Sequence, residues 1–141
     1  MSDIQVLIDS DAFVGLMLER DAHHARASAI FDRLQAGNVA AVTTSFVVAE
    51  TATVLSHASG QALARTFLDD VISKPGFPVI FIDQALHDDA IAIFCSLEQR
   101  ATSLTDCANV AVIRQFEIPT IFSFDKVYPK QFGIQVTEEG R

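Results

Sequence analysis

The sequence predicts an α/β protein in which a mostly parallel sheet of four to five strands lies between two layers of helices, as a three-layer sandwich. Short apolar runs rich in β-branched residues alternate along the chain with longer segments whose apolar residues repeat every three to four positions. The first run, IQVLI, is nearly all apolar, so both faces of this strand are expected to be buried. With 141 residues, the chain has the length of one domain.

Each predicted strand is a short apolar run, and the first has the sequence IQVLI. The strands are predicted at 4–8, 39–42, 77–82, 118–122 and 133–136. A strand that alternates with helices returns to the sheet by a right-handed crossover, so neighbouring strands are expected to be parallel.

Between the strands, apolar residues at positions i, i+3, i+4 and i+7 predict helices that pack against the sheet. The helices are predicted at 10–18, 21–37, 45–57, 59–73, 83–97 and 106–116. Asp21 and Asp83 are candidate caps, and Gly37 and Gly60 are candidate helix ends. The polar tail at 137–141 is expected to fray.

The charge balance limits the classes of function. Eighteen Asp and Glu residues against ten Lys and Arg give a net charge of −8, which argues against a broad basic face and favours a metal ion, a basic partner or simply solubility. No apolar run reaches the roughly 18 residues needed to cross a bilayer, and no signal-peptide pattern opens the chain. Cys95 and Cys107 stand twelve positions apart, so we expect no disulfide framework and a cytoplasmic location.

Carboxylates follow the predicted strands at the edge where a parallel sheet binds its ligands. Asp9 comes directly after the first strand, Asp11 two positions later, and Asp125 shortly after the fourth strand. If the first and fourth strands are neighbours, Asp9 and Asp125 are expected to converge. Each residue also has a structural alternative, since Asp9 suits a helix cap, Asp11 suits a helix first turn and Asp125 suits a turn.

Two further carboxylates lie on predicted helices. Glu50 is the single charged residue of segment 44–55, with neither a capping-box partner nor a Lys or Arg one turn away. An unpaired carboxylate on so apolar a helix is costly unless it faces solvent or meets a cation. Asp106 stands three positions after Ser103, which is the spacing of a capping box, so a purely structural role is also open.

In these segments the chain resembles PIN domains, and among them the VapC-like toxin ribonucleases. The matching motifs, spread over residues 4 to about 134, are LIDSD around Asp9, TSFVVAETATVL around Glu50, SLTDC around Asp106 and IFSFDK around Asp125. The resemblance implies that these four acids line one pocket as catalytic residues and metal ligands. The chain departs from the family at Asp11, where many relatives carry a small neutral residue.

The resemblance also implies residues that contact the substrate. Thr105 or Ser103 is expected as a neutral neighbour of the acids. Lys126 is a candidate for contact with the RNA from its charge and its place beside Asp125. Lys130 and Arg100 are further basic candidates for contacts with the RNA backbone, and a solvated surface charge is the alternative for each of these cations.

The expected function is that of a metal-dependent endoribonuclease of single-stranded RNA, built as a single PIN-like domain over residues 1–141. Clustered carboxylates raise one another's pKa and need a cation, and oxygen ligands select Mg²⁺ or Mn²⁺. The resemblance implies the toxin of a toxin–antitoxin pair. Expected partners are RNA, an antitoxin whose basic residue enters the acidic pocket, and a second copy, because helices 21–36 and 59–73 have apolar positions to cover.

Two other functions stay open at this point. Asp9-Ser10-Asp11 after a strand is similar to the opening of haloacid-dehalogenase-type phosphatases, with Asp9 as nucleophile and Asp11 as acid. That assignment gives Glu50 no role, and the chain is short for it. The other alternative is a non-catalytic PIN-like binding module, which metal-dependent RNA cleavage would contradict.

Overall fold

The computed structural model describes residues 3–98 and 100–137, in which five parallel strands form one sheet. The strands are β1 (Val6–Ile8), β2 (Ala41–Thr44), β3 (Val79–Ile80), β4 (Thr120–Phe122) and β5 (Gln135–Val136). Their order across the sheet is β3-β2-β1-β4-β5, and each neighbouring pair is parallel. The predicted α/β class and the five-stranded parallel sheet are therefore confirmed.

Helices connect the strands and flank the sheet. They are α1 (Ser10–Met17), α2 (His24–Ala36), α3 (Ser45–Ser59), α4 (Gln61–Thr66), α5 (Gln84–Ser96), α6 (Leu104–Phe116) and α7 (Val127–Phe132). The chain leaves α4 through a π-helical segment (Phe67–Ser73), which is a rare geometry for seven residues. No helix in the described ranges combines the length and the apolarity that crossing a membrane requires.

The central strand β1 is buried on both faces, as its apolar run predicts, whereas the outer strands β3 and β5 are partly exposed. Val6 and Ile8 point into a first core, which they form with residues of α1 to α4 and of the π-helical segment, such as Phe13 and Phe67. Leu7 points the other way, into a second core formed with residues of α5, α6 and α7. Because successive strand residues point to opposite faces, this division places helices on both sides of the sheet.

The starts of two helices differ from the predicted ones. α2 begins at His24 rather than at Asp21, because the Asp21 carboxylate accepts a hydrogen bond (2.9 Å) from the backbone N–H two positions later and closes a turn before the helix. α6 begins at Leu104 rather than at Asp106, because Ser103 is its N-cap. The strands β1 and β3 are also shorter than their apolar runs, which continue into the flanking loops.

Helix α7 has no counterpart in the sequence prediction. It has six residues, and Pro129 occupies its first turn, where a missing backbone N–H costs nothing. Gly133 ends it in the left-handed conformation with φ of 64°. Of the tail predicted to fray, Thr137 donates its backbone N–H to Ile121 O (2.9 Å), and residues 138–141 lie outside the described residues.

The apolar positions from which a dimer is predicted are largely covered within the chain. Ile30 of α2 and Phe67 of the π-helical segment are buried in the first core. Among the described residues, the large apolar side chains that stay exposed lie elsewhere, at Val54, Phe81, Ile91 and Phe94. The dimer stays a prediction, and these helices give it less support than the sequence suggests.

Candidate active site

The strand order brings the predicted acidic residues to one edge of the sheet. β1 and β4 are neighbours, with Ile8 beside Phe122, so Asp9 and Ser123 follow them at the same carboxyl edge. The backbone N–H of Asp9 donates to Phe122 O (3.0 Å) and continues this pairing one step beyond the strand. The condition under which Asp9 and Asp125 were expected to converge, that the first and fourth strands are neighbours, is therefore met.

The Asp9 carboxylate is almost fully buried, with 3% of its surface exposed. Its Oδ1 accepts hydrogen bonds from the Ser10 backbone N–H (2.8 Å), which caps α1, and from Asn109 Nδ2 (3.0 Å). Its Oδ2 accepts from Ser123 Oγ (2.9 Å) and lies 3.0 Å from the Tyr128 hydroxyl. Asp9 thus serves as a helix cap and also faces into the site.

The Tyr128 hydroxyl links Asp9 to Asp106. It lies 3.0 Å from Asp106 Oδ1 as well as from Asp9 Oδ2, and it accepts a hydrogen bond from Asn109 Nδ2 (3.0 Å). The hydroxyl has one proton, so it donates to one carboxylate at a time. Two acidic oxygens therefore compete for a single donor in this part of the site.

Asp106 is both a helix cap and a site residue. Its Oδ2 accepts from the Ser103 backbone N–H (3.0 Å), and its own N–H donates to Ser103 Oγ (3.0 Å), which completes a capping box. The other oxygen, Oδ1, is left to face Tyr128. The structural and functional interpretations of this residue are therefore compatible, because each uses a different oxygen.

Asp11 joins the buried acids from the first turn of α1. Its Oδ2 accepts from the Phe124 backbone N–H (2.9 Å) and from Ser123 Oγ (3.2 Å), the hydroxyl that also serves Asp9. Its Oδ1 is buried and has no hydrogen-bond partner among the described residues. Asp11, the residue at which the chain departs from the family pattern, therefore adds a third carboxylate to the group formed by Asp9 and Asp106.

Burial and mutual repulsion raise the pKa of the carboxyl groups of Asp9 and Asp11, which follow β1. The pKa of Asp9 rises from its ordinary 3.8 to about 7, chiefly because burial penalises the charged form and then because of the charges of Asp11 and Asp106. The pKa of Asp11 rises to about 6, again first through burial, with a contribution from the charge of Asp125. Hydrogen bonds from Ser10 and Ser123 oppose the shift at Asp9 and do not cancel it.

Glu50 and Asp125 lie around this buried group. Glu50 is half-buried on α3, and its Oε2 accepts a hydrogen bond from Ser10 Oγ, which ties it to the residue after Asp9. Asp125 is exposed, and its Oδ1 accepts from the Val127 backbone N–H (2.9 Å) at the start of α7. The four predicted acids thus lie at one edge of the sheet, with two buried and two towards solvent.

The carboxylate oxygens of these residues are ligands that suit a divalent cation, although the acids do not surround a common centre in this structure. Within residues 3–98 and 100–137, no three Asp, Glu, His or Cys side chains are arranged as a ready group of metal ligands. Mg²⁺ commonly uses only one or two carboxylates and keeps several waters, so Asp9 and Asp106 suffice. The unpartnered buried oxygens of Asp11 and Asn109 also show that acceptors outnumber donors here.

The predicted substrate residues occupy different surroundings. Ser103 and Thr105 are half-buried at the start of α6, with Ser103 engaged as its cap. Lys126 is exposed and begins α7, and Arg100 is exposed in the loop before α6. Their roles in binding substrate stay predictions.

A cleft of about 490 Å³ opens beside Asp125. Its lining includes three cations, Arg26, Lys126 and Lys130. The guanidinium of Arg26 lies over the Phe124 ring, 5.0 Å from its centroid. The cleft therefore brings three of the ten basic residues of an acidic chain next to Asp125.

Sequence patterns do not indicate the roles of Ser10, Asn109, Ser123 and Tyr128. Asn109 gives one signal, because it lies one helical turn after Asp106 and so shares its face. Ser123 lies within a matched motif without a distinguishing pattern. Tyr128 follows no helical or strand period, and only the folded chain brings it to Asp9.

Comparisons with known proteins agree with this architecture. The PIN domain family model matches residues 6–131. The crystal structure of VapC20 from Mycobacterium tuberculosis, described as a sarcin-ricin loop cleaving toxin, is similar with a TM-score of 0.79 and 22% identity, covering 91% of this chain and 95% of that one. A chain of VapBC2 from Rickettsia felis, crystallised with a DNA fragment from the promoter of these proteins, has a TM-score of 0.70 and 13% identity, covering 95% and 98%.

No curated protein matches the chain. The two solved structures share the fold at low sequence identity, whereas the family model matches the sequence itself over most of its length. On the strength of that match, the chain belongs to the PIN domain family.

Proposed function

We propose that this protein is a metal-dependent endoribonuclease that hydrolyses phosphodiester bonds of single-stranded RNA, and that it acts in the cytoplasm as the toxin of a toxin–antitoxin pair. The observation that carries the proposal is the pair of buried carboxylates, Asp9 and Asp106, held 3.0 Å from one hydroxyl at the carboxyl edge of the sheet. The hydrogen bonds that reach Asp9 from the described residues come from neutral groups. Such a pair is costly to keep ionised without a cation.

In this proposal Asp9 and Asp106 hold Mg²⁺ or Mn²⁺, and Glu50 and Asp125 complete the set of catalytic acids. When bound, such an ion neutralises charge on the scissile phosphate and lowers the pKa of water. The chain's own contribution is orientation. Ser10 Oγ donates to Glu50 and holds its carboxylate on the side of Asp9, while the backbone of the turn after Asp125 fixes that side chain at the rim.

RNA is the proposed substrate because Asp125 and Ser123, at the edge of the site, line a cleft that also contains three cations. Arg26, Lys126 and Lys130 supply positive charge where a phosphate backbone would pass, although the chain as a whole is acidic. The likeness to VapC20, which is described as a sarcin-ricin loop cleaving toxin, supports a nucleic-acid-cleaving function. Thr105 and Ser103 lie beside Asp106 and are proposed to contact the RNA from the other side.

The phosphatase alternative fits the geometry poorly. That alternative gives Glu50 no role, although Ser10 Oγ donates to Glu50 and ties it to the residue that follows Asp9. Asp11, the acid of that alternative, is engaged with the Phe124 backbone and Ser123. A non-catalytic binding module would keep the same fold, and the first prediction below separates it from a nuclease.

Replacing Asp9 or Asp106 by Asn should abolish Mg²⁺-dependent cleavage of single-stranded RNA. It should also raise the metal-free free energy of unfolding by about 1 kcal/mol, because each change removes repulsion while Asn keeps the capping ability. Mg²⁺ should raise the melting temperature of the wild type and do much less for the variants. Cleavage assays with melting curves, with and without Mg²⁺, provide the measurement.

Asp69→Asn and Asp88→Asn are matched controls, since both residues are exposed, and they should change neither property. Intact cleavage by Asp9→Asn would show that the catalytic assignment is wrong. A wild type that binds Mg²⁺ and cleaves no RNA would favour the binding module.

The metal-free protein should lose stability as the pH rises from about 4 to about 7. The folded pKa values of Asp9 and Asp11, about 7 and about 6, lie above the ordinary 3.8, so the folded state binds more protons than the unfolded state throughout this window. The stabilisation is complete below the unfolded value and disappears above the folded values. Denaturant unfolding at several pH values measures the slope, which Asp9→Asn should reduce, and a slope that the variant leaves unchanged contradicts the assignment.

Lys126→Ala should weaken RNA binding, because one phosphate contact is lost. The plot of the logarithm of the RNA binding constant against the logarithm of salt concentration should become shallower, with its slope reduced in magnitude by about one. Filter binding of a single-stranded RNA to the catalytically inactive Asp106→Asn background, at several salt concentrations, measures this. Lys74→Ala is the matched control, because Lys74 is an exposed lysine paired with Asp70. It precedes β3, which is the outer strand on the side of the sheet away from β4 and β5. If Lys126→Ala and Lys74→Ala change the RNA affinity and its salt dependence equally, the RNA does not bind in the cleft.

The proposed antitoxin places a basic side chain in the acidic pocket, because an Arg beside Asp9 and Asp106 would offset their charge and block the phosphate site. The similarity to a chain of a VapBC complex supports a partner of this kind. We also propose a two-fold homodimer. A complex structure with the pocket open contradicts the first idea, and a monomer in sedimentation at micromolar concentration contradicts the second.

A further inference from the structure

We propose that Tyr128, oriented by Asn109, is a positioning residue that sets the separation of Asp9 and Asp106 and thereby the affinity of this pair for a divalent cation. The inference rests on the proposed function and deepens it, because it names the side chains that hold the two ligands together. It assigns a specific task to a hydroxyl that packing alone does not require.

The two acids come from different parts of the fold. Asp9 ends β1 and Asp106 lies in the first turn of α6, while Tyr128 belongs to α7. Its hydroxyl lies 3.0 Å from Asp9 Oδ2 and 3.0 Å from Asp106 Oδ1. Because the hydroxyl lies 3.0 Å from each, the two carboxylate oxygens are at most about 6 Å apart. The hydroxyl proton bonds to one of them at a time and offsets part of their mutual repulsion.

Tyr128 is itself held firmly. Its ring is fully buried in the second core among residues such as Leu7, Val110 and Ile121. Its hydroxyl accepts a hydrogen bond from Asn109 Nδ2 (3.0 Å). A close-packed ring leaves the hydroxyl little freedom to move, so its position is transmitted to both acids.

Asn109 has one orientation that fits. Its Nδ2 donates to Asp9 Oδ1 and to the Tyr128 hydroxyl, while its Oδ1 is buried without a partner among the described residues. Turning the amide over would place its oxygen against the Asp9 carboxylate and leave both donors without acceptors. Asn109 and Tyr128 therefore act on the acids as one unit.

This arrangement holds the acids near each other without neutralising them. A Lys or Arg in the place of Tyr128 would pair with the carboxylates and compete with a metal ion. A neutral hydroxyl donates one proton and leaves the negative charge available. The contacts thus have the character of the outer hydrogen bonds that orient metal ligands, whose removal typically lowers metal affinity 10- to 100-fold.

Tyr128 also provides its own spectroscopic signal. It is the single tyrosine of a chain that has no tryptophan. Its hydroxyl touches both proposed ligands, so a cation that binds them changes the surroundings of the phenol. Mg²⁺ titrated into the wild type should therefore change the tyrosine fluorescence to saturation, and Asp106→Asn should abolish the response.

The decisive variant is Tyr128→Phe, which keeps the buried ring and removes the hydroxyl. Melting curves at increasing Mg²⁺ concentration should show the half-saturating concentration raised about 10-fold or more. Cleavage at each Mg²⁺ concentration should shift by the same factor. At saturating Mg²⁺ the KM for RNA should stay within about twofold of the wild type, whereas Lys126→Ala should raise KM and leave the Mg²⁺ dependence unchanged.

A second variant separates positioning from general destabilisation. Asn109→Ala should also raise the half-saturating Mg²⁺ concentration, and the double variant Asn109→Ala/Tyr128→Phe should shift it by less than the product of the single factors. If Tyr128→Phe proves too unstable to purify, Asn109→Ala and the wild-type fluorescence titration still decide the proposal.

An unchanged Mg²⁺ dependence in Tyr128→Phe overturns the positioning role while leaving the nuclease proposal intact, provided that the wild type binds Mg²⁺ and cleaves RNA. The positioning role is also overturned if Mg²⁺ stabilises the wild type without changing its tyrosine fluorescence, because the ion then binds away from Asp9 and Asp106. A wild type that neither binds Mg²⁺ nor cleaves RNA overturns both proposals.

Discussion

The buried carboxylate of Asp9 is the constraint on which the rest of the site depends. A charge-bearing group with 3% exposure is costly unless donors surround it, and its neighbours come from four places: Ser10 in α1, Asn109 in α6, Ser123 after β4 and Tyr128 in α7. Each element must end or begin where its donor can reach the end of β1. These donors lower the cost of burying Asp9. Two of them, Ser123 and Tyr128, also contact Asp11 and Asp106, so the same contacts set the positions of the neighbouring acids.

Much of the fold was predictable because its signals are local or periodic. The apolar runs predict strands buried on both faces, and the rule that parallel sheets bind ligands at their carboxyl edge directs attention to Asp9 and Asp125. Glu50 stands out because no charge on its own helix could pair with it. Asp106 shows the limit of such reasoning, because the capping-box pattern is realised, and one oxygen still faces the site.

The features that sequence reasoning missed depend on contacts between distant segments. α7 is six residues long and contains Pro129, so it has neither the length nor the period of a recognisable helix. Tyr128 reaches Asp9 across 119 positions of sequence, and no pattern at either residue announces the contact. The late start of α2 has a similar cause, because Asp21 forms a turn where a cap was expected.

The most direct test of the central claim, that Asp9 and Asp106 together bind a divalent cation, is anomalous diffraction from a crystal soaked in Mn²⁺. The account predicts one peak within about 2.5 Å of a carboxylate oxygen of each residue, and its loss in Asp106→Asn. A peak elsewhere, or one that survives the substitution, would contradict the claim that this buried pair forms the metal site.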